Sequence, residues 1–333
     1  MTIAITALAW TGLGLVATLI WALSRAIVFP IQPLQGPLPE LNGEQRQRAL
    51  NLEQHVRAVA STPHNLACPE ALEASAHYIE TALRSFGLEP QTQVFVVDGK
   101  TVRNIEAVIK GDPAHGTGTI VLGAHYDSAP GTPGANDNGS GVAALLDISR
   151  ALAAGPAPPG SHLRLVFFVN EEQPYGKTND MGSLRHARRL KNDGEHVAGM
   201  IALETLGYFS NAKGSQRLPW PFSWVYPDRG NFVAFIGLPG SRGFLAGALA
   251  HFRASAVFPS TGTIALASTE GADLSDHWAY HSVGIPAFMM TDTAPYRNPF
   301  YHQAFDTPDT VDYASLARIT EGIEAMIRAM MAG

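Results

Sequence analysis

Two features of the sequence predict an α/β domain of three layers, α/β/α, with helices on both faces of a mostly parallel central sheet. First, three short runs are apolar at nearly every position: residues 119–124 (TIVLGA), 163–169 (LRLVFFV) and 197–203 (VAGMIAL). A strand buried on both faces reads as such a run, whereas a half-exposed strand alternates. Second, stretches with helical spacing separate these runs, at 141–153 and 182–192. Parallel strands cannot be joined by a tight turn, so helical crossovers between apolar strands are the expected connection.

The elements follow in chain order. Residues 3–24 carry no charged side chain, and a helix needs about 20 such residues to cross the hydrocarbon of a bilayer. The start lacks the basic cluster of a signal peptide, and Ala22-Leu23-Ser24-Arg25-Ala26 is a poor cleavage site. A single uncleaved N-terminal transmembrane helix over residues 1–29 is the expectation, with Trp21 at interfacial depth. Four prolines between 30 and 39 mark residues 30–42 as a linker. A single large domain then spans 43–333. It opens with helices at 43–60 and 69–86, followed by strands at 94–97 and 103–109. Later strands are expected at 232–236 and 287–290, and later helices at 244–253 and 314–331.

Composition narrows the function. Hydrophobic residues make up 46% of the 333 and charged residues 16%, which suits a large buried core and argues against disorder. The net charge is −6, and the densest basic stretch, 185–191, is the polar face of a helix, so nucleic acid is not an expected partner. The single cysteine, Cys68, excludes an internal disulfide and a thiolate-rich zinc site and reads as a small hydrophobe.

Chemistry concentrates where strands end, the edge at which such sheets bind ligands. The run 119–124 delivers His125, the following glycine-rich loop holds Asp137, the run 163–169 leads to Glu171 and Glu172, and the run 197–203 to Glu204; His302 arrives from a late loop. Alone, each residue has an ordinary reading: a surface histidine, a solvated acidic loop, a turn. Together, histidine and carboxylates on one sheet edge are the donor set for zinc, manganese or cobalt. Two ions need a shared carboxylate, and Asp137, in a turn where glycines let the backbone fold tightly, is the natural bridge.

The motifs Gly-Ala-His125-Tyr-Asp127-Ser, Ala-Asn-Asp137-Asn-Gly-Ser-Gly, Phe-Val-Asn-Glu171-Glu172, Ser-Asp276-His277 and the segment 288–302 resemble peptidase family M28, the cocatalytic-zinc exopeptidases, over residues 45–333. The resemblance implies a zinc exopeptidase (phosphorylase/hydrolase-like) fold and an aminopeptidase acting on peptides with a free N-terminus. It also implies two divalent ions, zinc foremost: one on His125 and Glu204, the other on Glu172 and His302, with Asp137 bridging them. Glu171 matches the general base and Asp127 the group that orients His125 by accepting from its other ring nitrogen. Asp276 and His277 fall beside the substrate pocket, and the peptide after Asp137 should be cis. The family usually carries aspartate where this chain has Glu204, which bears on how one ion is held. Family context places the catalytic domain outside the cytoplasm, whereas Arg25 after the apolar run points the other way by the positive-inside rule.

Other classes fare worse. No Gly-x-Ser-x-Gly elbow surrounds Ser140, and no His-Glu-x-x-His string occurs. A glutaminyl cyclase, with a single zinc on the same fold, is the nearer alternative; an inactive receptor-like ectodomain should have lost ligands. Finally, residues 218–227 (LPWPFSWVYP) are either a core-packing loop or a proline-braced lip. In the second case Trp220 and Trp224 would wall the pocket for the first side chain of the substrate.

Overall fold

The computed structural model describes residues 27–33, 36–111, 118–156, 160–220 and 222–333. Of the transmembrane helix expected over 1–29, residues 1–26 lie outside the described residues and Val28 and Phe29 belong to a strand, and among the described residues no helix is long and apolar enough to cross a membrane. After the N-terminal strand β1 (Val28–Gln32) come α1 (Gly43–Val59), α2 (Pro69–Ser85), β2 (Gln91–Val97), β3 (Lys100–Ile109) and β4 (Thr119–His125). Next are α3 (Gly141–Ala153), β5 (His162–Phe168), α4 (Gly182–Asn192), β6 (Val197–Glu204) and β7 (Val233–Gly237). The remaining elements are α5 (Arg242–Ser255), β8 (Ser260–Ile264), α6 (His277–Ser282), β9 (Ala287–Thr291) and α7 (Tyr313–Ala332).

Local chemistry sets several boundaries. Asn42 caps α1 reciprocally: its side chain accepts from the Gln45 N–H at 2.8 Å, and the Gln45 side chain accepts from the Asn42 N–H at 3.1 Å. Pro69 opens α2, where its missing N–H costs no helical bond. Asp312 caps α7 by accepting from the Ser315 N–H at 3.0 Å.

Nine strands form one sheet in the order β1-β8-β7-β9-β6-β4-β5-β3-β2. Helices α1, α2, α3, α5 and α7 share one apolar cluster on one face, while α4 and α6 cover the other through Leu184, Ala187, Leu190, Ala279 and Tyr280. The three layers are as expected, but the pairing is mixed. β4 pairs in parallel with β5 and β6, β6 with β9, and β7 with β8. The other four pairings are antiparallel. The three apolar runs are the centre of the sheet, where parallel strands are buried on both faces; direction reverses at the β9–β7, β8–β1, β5–β3 and β3–β2 pairings.

The linker expectation fails at its start. Val28–Gln32 pairs antiparallel with β8, with an irregular register between Phe29 and Gln32. Pro30 is tolerated because the strand is an edge and needs no donor there. The Arg253 guanidinium donates to the Pro30 carbonyl at 2.6 Å, and the Thr261 hydroxyl to the Phe29 carbonyl at 2.9 Å.

Candidate metal centre

The glycine-rich turn at 134–141 is fixed from three directions. Asn136 accepts from the Gly207 N–H at 2.7 Å and donates to Asp292 at 2.9 Å. Asn138 donates to the Leu203 carbonyl at 2.8 Å and accepts from the Thr205 N–H at 3.1 Å. The Asp306 carboxylate accepts from the backbone N–H groups of Asn136 and Asp137, at 2.8 and 3.1 Å. A side chain at Gly141 would put its Cβ 2.3 Å from Asn138 Oδ1 and 2.6 Å from the Leu203 carbonyl, so glycine is what lets the turn lie against the end of β6. The Asp137–Asn138 peptide is cis, as the resemblance implies.

Held this way, Asp137 stands between two groups of side chains. His125, Asp137 and Glu204 offer ligand atoms within 4.8 Å of one another, and so do Asp137, Glu172 and His302. His125 Nε2 lies 3.3 Å from Asp137 Oδ1 and 3.5 Å from Glu204 Oε2. His302 Nε2 lies 3.0 Å from Asp137 Oδ2 and 3.4 Å from Glu172 Oε2. All but His302 are buried; its side chain is 40% exposed and its ring stacks on Tyr301 at 4.0 Å. The Ser275 hydroxyl donates to Glu204 Oε2 at 2.9 Å. That bond aims the longer carboxylate at His125, so the extra methylene does not take Glu204 out of the group.

The electrostatics are those of a site built around positive charge. Burial pushes Glu172 up to about 7, with the Asp137 charge adding to it, and Glu204 up to about 8 for the same two reasons. Burial also drives Glu171 well above the carboxylate range, reinforced by Glu204, Glu172 and Asp276 and opposed by His125. Burial opposes charge on His125, yet Glu171 and Glu204 raise it well above the usual imidazole value. Four buried carboxylates face two imidazoles, an excess of negative charge that divalent cations would neutralise. Glu172 Oε1 is buried with no hydrogen-bond partner. The donor set and this orphaned oxygen both fit a pair of metal ions.

Asp127 is not placed as expected. His125 Nδ1 is 2.9 Å from the backbone carbonyl of Asp127 and 3.7 Å from its carboxylate, so the carbonyl orients the ring. That leaves Nε2 facing the cluster with its lone pair. The carboxylate instead accepts from the N–H groups of Glu171, at 3.1 Å, and Glu172, at 3.2 Å. It thereby aims the glutamate pair in opposite senses: Glu172 towards His302, and Glu171 within 4.0 Å of His125 Nε2. Asp276 and His277 are buried, and Asp276 is close enough to Glu171 and His125 for their charges to interact. Burial pushes the Asp276 carboxyl up to about 7, against the pull of His125, while His277 Nε2 bonds the Ala272 carbonyl at 2.9 Å, a role within its own loop. Asp306 and Ser275 escaped the sequence reading, because neither sits at a strand end nor in an acidic string.

From Glu204 and Tyr301 an apolar cavity runs along the sheet face over β7, β8 and β9, past Ile236, Thr263 and Met289. Its outer wall comes from the 218–227 segment, through Leu218, Pro219, Phe222 and Tyr226. The lip therefore exists, but with different rings. Trp220 and Trp224 are 73% and 81% exposed and do not line the cavity. Phe222 and Tyr226 stack at 6.2 Å, and the Tyr226 hydroxyl donates to the Gly262 carbonyl at 3.1 Å.

Comparison with known proteins agrees with this geometry. The model of peptidase family M28 matches residues 104–327. The uncharacterized protein YfbL of Escherichia coli K12 is 38% identical over 292 residues, covering 83% of this chain and 86% of YfbL. Leupeptin-inactivating enzyme 1 of Streptomyces exfoliatus is 25% identical over 287 residues, covering 78% of this chain and 56% of that enzyme. Among solved structures, the aminopeptidase of Aneurinibacillus sp. strain AM-1 superposes with a TM-score of 0.63 at 18% identity, over 85% of this chain and 94% of that one. Porphyromonas gingivalis glutaminyl cyclase superposes with 0.59 at 21% identity, over 84% and 95%; at these identities both likenesses speak for the fold alone. With a matching model over more than half its length and a close relative along most of it, the chain belongs to peptidase family M28.

Proposed function

We propose that the chain is a zinc-dependent aminopeptidase that removes apolar residues from the N-termini of peptides. The observation that carries this reading is the pair of side-chain groups sharing Asp137 at the mouth of an apolar cavity. His125, Asp137 and Glu204 would hold one ion, and Asp137, Glu172 and His302 the second; imidazole mixed with carboxylate suits zinc. Bound there, the ions supply Lewis-acid polarisation of the scissile carbonyl.

The chain's own residues do the rest. Glu171, aimed through its backbone by Asp127, takes a proton from the attacking water and hands it to the leaving amine. A free N-terminus brings an ammonium to a carboxylate-rich centre, while the first side chain enters the cavity behind Phe222 and Tyr226. Residues 3–24 are the proposed membrane anchor, with the catalytic domain on the extracytoplasmic side.

Metal analysis of the purified full chain, read beside two substrates, tests this. Close to two equivalents of zinc with cleavage of leucyl-anilide supports the aminopeptidase. Ring closure of an N-terminal glutaminyl peptide without anilide cleavage would instead establish a glutaminyl cyclase. Metal-free protein inactive on both would leave a binding ectodomain.

A further inference from the structure

The exposed side of the lip has no part in the chemistry above, and its composition is unusual for a surface facing only water. Trp220 and Trp224 stand 73% and 81% exposed, edge to face at 6.3 Å, with Val225 exposed beside them. Leu274, which also lines the cavity, is exposed as well. Large indoles grouped on a surface mark an interaction site more often than chance. The segment that carries them is also inverted in charge relative to the whole chain. Between β6 and β7 the charged residues are Lys213, Arg217 and Arg229 against Asp228, a net of +2 in a chain of net −6, and all four are exposed.

The position of the lip in the fold adds a second, independent line. Gly262 is the strand partner of Phe29, and its carbonyl accepts the Tyr226 hydroxyl at 3.1 Å. The lip and the first strand of the sheet therefore meet at one residue of β8. Val28 opens that strand, only a few positions after the uncharged run at 3–24. The strand that follows the uncharged run in sequence and the lip that carries the indoles and the basic residues are thus joined through β8.

We propose that the lip docks on an anionic lipid surface, with Trp220 and Trp224 seated in the interfacial layer and Lys213, Arg217 and Arg229 facing the headgroups. Indoles favour that layer because their rings are apolar and their N–H finds a wet partner. Each basic residue near an anionic leaflet adds attraction that salt weakens. Leu218, Pro219 and Phe222 of the same lip line the cavity, so a docked enzyme offers its cavity to N-termini lying along the membrane.

The test uses the full chain with Trp10→Phe, Trp21→Phe and Trp278→Phe, so that only the lip indoles emit. The protein is mixed with vesicles of phosphatidylglycerol or phosphatidylcholine carrying brominated acyl chains. Docking predicts a blue shift and quenching, stronger on phosphatidylglycerol and weaker in high salt. Exchange of Lys213, Arg217 and Arg229 for Gln should remove the lipid preference. Unquenched lip emission from vesicle-bound protein overturns the proposal, since the chain is then held elsewhere; so does failure to bind vesicles at all. A rise in KM for long apolar peptides in lipid-free buffer on Trp220→Ser and Trp224→Ser, without quenching, would assign the lip to peptide instead. None of the fluorescence outcomes depends on the enzyme being an aminopeptidase.

Discussion

Phe222→Ala probes the wall of the cavity directly. A leucyl side chain carries three more carbons than an alanyl one, and burying each is worth about 0.8 kcal/mol, so a cavity closed on all sides would favour leucyl substrates by about 2 kcal/mol. Phe222 supplies part of one side and stacks on Tyr226; Leu218, Pro219 and the strand residues of β7–β9 supply the others. Opening one side should therefore forfeit about 1 kcal/mol, or a fall of about fivefold in kcat/KM for leucyl-anilide, with alanyl-anilide nearly unchanged. Trp220→Ala and Trp224→Ala should leave the leucyl/alanyl ratio where it was, because neither ring reaches the cavity. Steady-state kinetics on both substrates, with a thermal melt to confirm folding, decide the matter. Equal losses on the two substrates after Phe222→Ala, or a larger change in the ratio from Trp224→Ala, would refute the assignment of the wall.

Three further outcomes follow from the same geometry. Glu171→Gln should keep the metal content and the melting temperature while lowering kcat about 10²–10⁴-fold, the usual worth of a general base; near-native turnover would remove Glu171 from the mechanism. Asp306→Ala strips the acceptor from two buried N–H groups, at about 1–3 kcal/mol each, and should reduce both zinc content and melting temperature; unchanged values in both would show that the turn does not depend on this brace. Burial raises Glu106, but the His186 hydrogen bond and the charges of Arg164 and Arg189 win and hold it at about 2 instead of 4.5. A carboxyl depressed by folding stabilises the fold above its unfolded pKa and loses that stabilisation as pH falls through the folded one. Native protein should therefore exceed Glu106→Gln by about 3 kcal/mol in urea melts at pH 7, with the gap closing from pH 4.5 towards 2; a gap independent of pH would assign the difference to packing.

Much of the frame was legible because it rests on periodicity. The helices at 141–153 and 182–192 fall where spacing put them, and the three apolar runs are β4, β5 and β6. What escaped lacked a pattern to read. β8 is Ser-Thr-Gly-Thr-Ile, too small and polar to register as a strand, and buried only because α5 and the lip cover it. β1 holds a proline that signals a linker unless the strand is known to be an edge. The mixed direction of the sheet arises at pairings outside the central three strands, β5–β3, β3–β2, β9–β7 and β8–β1, so it could not be inferred from the apolar runs.

The site divides along a similar line. Residues that meet through side-chain chemistry, His125, Asp137, Glu172, Glu204 and His302, were recognisable because a cluster of metal-ligating types on one sheet edge is rare by chance, and the structure brings those five together. Roles played through backbone groups were not. Asp127 grips two amides and Asp306 grips two more, and a backbone N–H has no residue type, so neither partner can be read from a string of letters. The lip shows the same limit in another form. Phe222 and Trp224 are two apart in a 3₁₀ turn, alike in composition, yet one lines the cavity and the other faces solvent. Aromatic content marked the segment as important, but only the path of the backbone decides which ring meets the substrate and which is left for a second surface.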